Sequence, residues 1–358
     1  MKVAVVGGGV NGICSAIAIS ESGNSVTVFD SGKAFSETSA KSSRMFHGGI
    51  RYLEQGHFSL VREALRERKA WIDFCPDDTH PKRFFIPSYK FQSRSRIKLF
   101  LGVKLYALLA GKYSLGKSLF HSKKYTLKHL PNLKEQDLLG SVSYLDVVFD
   151  DIAVSKKLIK KLKEIGGVIK ENVAVTRVSD MGKVYFSDGS VKKFDRVVNV
   201  TGPWSAELLK KSKIHSGVEL DLIKGSHLIV DYKINQPVVF QVVDDKRIIF
   251  LIPIGNYSLL GTTEVIQKIN EKTEVTCEEV EYLLNEVNKF LNWPITKSNV
   301  IGSFAGLRPI VKACDNRSVS KTSRESKIER IGNLVSVFGG KWTSAMTLGK
   351  KVSLEILR

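Results

Sequence analysis

Residues 2–30 constrain the fold more than any other stretch of the chain. A Val-rich apolar run at 2–6 leads into Gly7, Gly8, Gly9 and Gly12, then a helix-like segment over 13–21, then a second apolar run over 25–30 that ends in Asp30. Strand, glycine turn, helix and strand in that order predict a βαβ unit of a parallel sheet. Within it, Gly7, Gly9 and Gly12 spell G-x-G-x-x-G, and Asp30 follows Gly12 by 18 positions. Gly7 allows the tight turn, Gly9 lets the backbone approach a pyrophosphate, and Gly12 lets the helix pack on the strand. The helix N-terminus then faces the phosphates, and Asp30 accepts the ribose hydroxyls. The segment predicts a dinucleotide site without separating a nicotinamide from a flavin.

The 358 residues allow two to three units at about 150 residues each. Hydrophobic residues at 43% and charged residues at 25% exclude a disordered or fibrous chain. The glycines inside the first apolar run argue against a secretion signal. Cys14, Cys75, Cys277 and Cys314 have no C-x-x-C spacing, so no disulfide framework or metal site is expected and a reducing compartment fits. The longest apolar run, 99–110, is interrupted by Lys104 and is short of the roughly 20 residues that span a bilayer.

Lys and Arg number 55 against 36 Asp and Glu, a net charge of +19 that draws the chain toward anionic partners. Residues 93–124 concentrate the pattern: Arg94, Arg96, Lys98, Lys104, Lys112 and Lys117 alternate with apolar residues from Leu99 to Leu109. That composition suits an anionic membrane surface, or else a core helix with a solvated basic face. No recognised module of interleaved basic and aromatic residues is present, so no nucleic-acid partner is expected.

Further along, 156–165 reads as a basic amphipathic helix, 173–178 and 183–186 as a hairpin, and 196–200 as a buried strand ending at Thr201-Gly202. Strand candidates at 228–231, 238–243, 248–252 and 258–262, with a helix at 277–291, suggest an antiparallel substrate domain. From 334 onward, a strand, a Gly-Gly turn and a helix return the chain to the first domain.

Eight blocks together resemble the FAD-dependent glycerol-3-phosphate dehydrogenase family, within the flavoproteins related to D-amino-acid oxidase. They are GGGVNG (7–12), TSAKSSRMFHGGIRYLEQ (38–55), VTGPW (200–204), KGSHLIV (224–230), DKRIIFLIPI (245–254), LLGTTE (259–264), GLRPIV (306–311) and SVFGGKWTS (336–344). The resemblance implies an α/β chain, α+β overall. Its Rossmann-like FAD-binding domain (1–90, 145–205 and 330–358) would be interleaved with an antiparallel-sheet substrate domain (91–144 and 206–329).

The cofactor implied is FAD. Gly7, Gly9, Asn11, Gly12 and Asp30 would hold its nucleotide end, with Val173, Thr201, Gly202 and Trp204. Thr38, Ser39, Ser42, Ser43, His47, Gly48 and Gly49 would meet the ribityl and isoalloxazine parts. Gly339, Gly340, Lys341, Trp342 and Thr343 would open the last helix, whose positive end stabilises an anionic reduced flavin.

The resemblance also implies arginines for the substrate phosphate, since a guanidinium makes two parallel hydrogen bonds to it. Arg51 and Arg308 fall in matching blocks, Arg324 is the candidate for a third with Arg317 as its alternative, and Tyr52 adds a hydroxyl. Oxidising a secondary alcohol needs a proton acceptor, for which His227 is the candidate, with Arg308 and Lys341 as further catalytic residues. Lys341 orients or polarises the substrate oxygen.

The expected reaction is oxidation of sn-glycerol 3-phosphate to dihydroxyacetone phosphate with electrons passed to quinone, by a cytoplasmic protein peripheral to the inner face of the membrane. The alternative is an oxidase or dehydrogenase of another small anionic alcohol or amine. Family members continue into a further helical domain where this sequence stops at Arg358, which bears on acceptor choice, oligomer formation and docking.

Overall fold

Lys2–Val6 is buried beyond its first residue, as a central parallel strand requires. It pairs in parallel with Ser25–Phe29 on one side and Arg196–Asn199 on the other. In this computed structural model, which describes residues 1–92, 94–242, 247–312 and 326–358 (the side chains of Arg51 and Gln55 excepted), these strands are the middle of a six-stranded sheet. Val168–Lys170 extends it past Ser25–Phe29, and Leu334–Phe338 followed by antiparallel Lys327–Ile331 extends it past Arg196–Asn199. The Rossmann-like expectation from residues 2–30 is met, and the return of the C-terminal strand is also as expected.

The first helix, Val10–Glu21, begins three residues earlier than its apolar pattern suggests. The basic helix expected at 156–165 spans Asp151–Glu164. Its start is set by Asp150, whose carboxylate accepts the amides of Ile152 and Ala153, both at 2.9 Å. The expected hairpin, Val175–Val178 with Lys183–Phe186, gains a third strand, Val191–Lys193.

The second sheet has ten strands. Leu220–Val230, Tyr257–Gly261, Ile248–Ile254 and Val238–Gln241 follow one another as antiparallel neighbours, and Val300–Val311 pairs along the free side of Leu220–Val230. All of its pairings are antiparallel except Val238 against Phe85. The strand expected at 228–231 is the end of a longer one, and the helix expected at 277–291 stops at Asn288. Thr79–Tyr89, which the expected cofactor half at 1–90 would include, pairs along its whole length with Leu138–Phe149 in the second sheet.

An aromatic stack joins the halves. Phe46 lies flat between Trp71 and Phe149, with ring centroids 4.7 and 3.9 Å away, and Trp342 packs against Phe149 at 5.1 Å. On the same face of the parallel sheet, in one hydrophobic cluster with these rings, the closing helix, Ala345–Leu357, crosses the first helix at Gly349. A methyl group there would sit 2.5 Å from the Cys14 carbonyl oxygen and 2.9 Å from the Ser15 amide nitrogen, all of it backbone. Ala is normally better than Gly inside a helix by about 0.5–1 kcal/mol. At this crossing the sign reverses. Gly349→Ala should destabilise the protein by about 1–3 kcal/mol, read as a lower midpoint in denaturant unfolding, and an unchanged or raised midpoint contradicts the close crossing.

Candidate active site

A cavity of about 960 Å³ runs from the glycine turn of the parallel sheet to the face of the ten-stranded sheet. At its first end Gly7 has φ +109, and a side chain there would meet the Val200 carbonyl. Gly12 has no room for one because the Gly7 carbonyl occupies the place, so Gly12 serves helix packing and does not line the cavity. Gly9 meets only Ser39 Oγ and opens into the cavity. The amide of Val10 donates to Ser39 Oγ at 3.0 Å.

Asp30 ends its strand at the cavity wall and accepts the Gly8 amide at 2.7 Å and the Gly32 amide at 2.9 Å, one on each oxygen. Carboxylate oxygens with a second lone pair apiece retain capacity for hydroxyl donors. Val173, Thr201, Gly202 and Trp204 line the same end, where Trp204 is 39% exposed.

The middle of the cavity is closed by two loops. Thr38 Oγ1 donates to the Leu307 carbonyl at 2.9 Å, and Trp342 Nε1 donates to the Ser39 carbonyl at 2.8 Å, so the first loop is tied to the second sheet and the second loop to the first loop. Gly339 and Gly340 have φ of +77 and +87, a left-handed pair that aims the backbone of Lys341, Trp342 and Thr343 into the cavity. Asn11 donates to the Gly339 carbonyl at 3.3 Å, while its own Oδ1 is buried without a hydrogen-bond partner. An orphan acceptor in a polar wall marks a place built for a donor.

The far end holds the reactive groups. Arg308, on Val300–Val311, donates from Nη2 to Thr262 Oγ1 at 2.8 Å. Lys341 Nζ stands 5.4 Å from the Tyr52 ring centroid, and Ser43, His47 and Gly49 complete the wall. Gly49, at φ +69, faces the Tyr52 ring so closely that a side chain is excluded.

His227 departs from its expected place in direct contact with substrate. It is 1% exposed and is not among the lining residues. Its ring stacks on Phe304 at 5.0 Å, and its Nε2 lies 2.8 Å from Ser43 Oγ. Burial, with the charges of Arg308 and then Arg44, pushes the imidazole down to about 3. The reason is register: His227 sits opposite Phe304 and Gly261, on the inward side of a strand covered on that face. It reaches the cavity only through Ser43.

Gly48 also lies behind the wall, its amide bonded to the Tyr106 hydroxyl at 2.6 Å. Arg51 falls in the short turn Ile50–Gln55, but its side chain lies outside the described residues, as do Arg324 and its alternative Arg317 entirely. Every other expected site residue lines the cavity, Ser42 among them.

Sequence reasoning missed Lys41, Thr262, Glu264 and Asp146, all of which line it. Lys41, Thr262 and Glu264 stand in blocks already singled out. Asp146 carries no local signal, because only the pairing of Leu138–Phe149 with Met45–Phe46 brings it here.

An elongated cavity, an open first-helix N-terminus, an acid at the end of the second strand and an orphan acceptor beside a glycine turn fit a flavin dinucleotide. The family model described as "FAD dependent oxidoreductase" matches residues 2–353. Glycerol-3-phosphate dehydrogenase of Mycobacterium leprae (strain TN) is 33% identical over 355 residues, covering 96% of this chain and 60% of the relative. Aerobic glycerol-3-phosphate dehydrogenase of Staphylococcus haemolyticus (strain JCSC1435) is 31% identical over 379 residues, 99% of this chain and 66% of the relative.

The chain thus spans about two thirds or less of the length of these curated relatives. The solved glycerol-3-phosphate dehydrogenase from Bacillus halodurans, complexed with FAD, shares the fold at TM-score 0.78 and 24% identity, over 99% of this chain and 64% of that one. L-alpha-glycerophosphate oxidase from Mycoplasma pneumoniae, with FAD bound, superposes at TM-score 0.78 and 20% identity, over 100% of this chain and 94% of that one. With the family match running through both sheets and every strand that carries the cavity, the chain belongs to the FAD dependent oxidoreductase family.

Proposed function

We propose that this protein oxidises sn-glycerol 3-phosphate to dihydroxyacetone phosphate. The observation that carries the reading is the cationic lining of the cavity, where Arg308 and Lys41 join Lys341, whose Nζ stands beside the Tyr52 ring. FAD, which Gly7, Gly9, Asn11 and Asp30 would hold at its nucleotide end, would supply the hydride acceptor for the carbinol carbon. Arg308 would take the phosphate bidentately, held in its rotamer by Thr262. Arg51 and Arg324 remain expected as further phosphate ligands.

The hydroxyl proton would leave through Ser43. Its Oγ takes the substrate proton as its own proton passes to His227 Nε2 across the 2.8 Å hydrogen bond. A depressed imidazole is a weak base. It suffices here because, as the hydride leaves, the departing proton sits on an oxygen that is becoming a carbonyl and is far more acidic than an alcohol. The phosphate dianion on Arg308 would also offset one of the charges that depress His227.

A separate surface supports a membrane quinone as the electron acceptor. The Arg96–Ala110 helix buries Val103, Tyr106 and Ala110 but leaves Ile97, Leu101 and Leu108 at 68, 63 and 75% exposed. Lys98 and Lys104 share this helix, and no helix among the described residues is long and apolar enough to cross a membrane. An exposed apolar face rimmed by cations suits the headgroup boundary of an anionic bilayer. A peripheral protein placed there would pass electrons to a membrane quinone.

Three results are expected. Arg308→Ala should raise KM for glycerol 3-phosphate and lower kcat, a loss of about 2–5 kcal/mol in kcat/KM, and unchanged kinetics in steady-state assays refutes the phosphate assignment. The pH profile of kcat/KM reports the free enzyme, and His227 is neutral there down to about 3. The profile should therefore lack a step near the ordinary imidazole range of about 6.5, and a step there that disappears in His227→Asn contradicts the buried placement. Leu101→Glu with Leu108→Glu should abolish flotation with vesicles containing phosphatidylglycerol while leaving FAD content intact. Retained flotation removes this helix as the docking face.

A further inference from the structure

A buried ionic cluster stands directly behind the turn that carries His47 and Gly49. Arg68 and Asp146 are each 1% exposed and Tyr106 is 2% exposed. Arg68 Nη1 donates to Asp146 Oδ1 at 2.7 Å and to the Leu145 carbonyl at 3.0 Å, and its Nη2 donates to the Tyr113 carbonyl at 3.2 Å. The Tyr106 hydroxyl lies 3.0 and 2.9 Å from the two Asp146 oxygens and accepts the Gly48 amide at 2.6 Å.

The chemistry fixes the direction of each bond. An amide and a guanidinium only donate and a carboxylate only accepts, so the single Tyr106 proton goes to Asp146 and its lone pair receives Gly48. One chain of donors runs from the turn through Tyr106 to the Asp146 carboxyl, which burial pushes up to about 6 and Arg68 pulls the other way.

Such a cluster is a costly way to fill a core, since well-packed apolar residues of the same volume are often as stable or more so. What it adds is position. Gly48 has no side chain because one would strike Leu65 and the Tyr106 hydroxyl, both at 2.6 Å. The height of the turn is therefore set by close packing on Leu65 and by a hydrogen bond to the Tyr106 oxygen. Asp146 itself lines the cavity, as do His47 and Gly49 on either side of Gly48.

We propose that Tyr106, oriented by Asp146 and Arg68, is a positioning residue for the flavin. Its hydroxyl fixes the Gly48 amide and with it the His47–Gly49 turn against which the isoalloxazine lies. The inference rests on the family's flavin and on this turn as its neighbour, and it is independent of the substrate proposed above.

The test is Tyr106→Phe in the flavin-loaded protein, which removes one oxygen and leaves the ring. FAD should bind about tenfold more weakly, the equivalent of one lost hydrogen bond. The visible flavin band should shift, and kcat should fall with KM for glycerol 3-phosphate unchanged. An identical dissociation constant and an identical flavin band overturn the proposal, because a merely structural hydroxyl would lower the melting point alone. Where Tyr106→Phe cannot be recovered folded, amide hydrogen exchange of the wild-type apoprotein decides. The Gly48 amide should exchange slowly before any FAD is added, and exchange at open-loop rates there overturns the proposal equally. A wild type that binds FAD but does not reduce it with glycerol 3-phosphate sinks only the substrate reading.

Discussion

The stacked rings of Phe46, Trp71, Phe149 and Trp342 are the joint on which the rest of the molecule depends. Each ring comes from a different element: a short strand, a long helix, the end of the strand next to the edge of the second sheet, and the loop before the closing helix. Offset and edge contacts among large rings add specific geometry to the area they bury. Trp71 also donates from Nε1 to the Thr343 carbonyl at 3.0 Å, so the loop that roofs the cavity is pinned to the joint itself. The cavity exists because two sheets are held at a fixed separation by rings that cannot slide.

Electrostatics then divides the cavity. Backbone amides and Asp30 govern the nucleotide end, where partial charges are small and fixed. Charged side chains line the far end, Arg308, Lys41 and Lys341 together with Glu264 and Asp146. Arg308, which would capture a phosphate, also helps keep His227 neutral, with burial as the larger cause. In the proposed reaction, binding of an anion and proton acceptance by the Ser43–His227 pair would be linked through Arg308.

Much of this was legible in the chain because the signals were local. Residues 2–30 contain the strand, the turn, the helix and the acid of the nucleotide end, and each of them sits where its spacing implies. Arg308 and Lys341 were visible inside short blocks of unusual composition. His227 was visible as a residue but not as a placement, since whether a strand residue faces a cavity or a covered face is decided by register with partners dozens of positions away. Asp146 was invisible for the same reason. The Arg96–Ala110 helix showed the right composition, yet only the packing of Val103 and Tyr106 reveals that its opposite, outward face is the apolar one.

The strand order carries a kinetic consequence. Lys2–Val6 leaves the ribosome first, but its sheet is completed by Arg196–Asn199 and then by Leu334–Phe338, beside a helix that ends at Leu357. Parallel pairings across such separations close slowly, since chain entropy is lost before contacts compensate for it. The nucleotide-binding half of a nascent chain therefore stays unfinished until Leu334–Phe338 has been made. Any cofactor that needs the whole half could be captured only after that strand emerges.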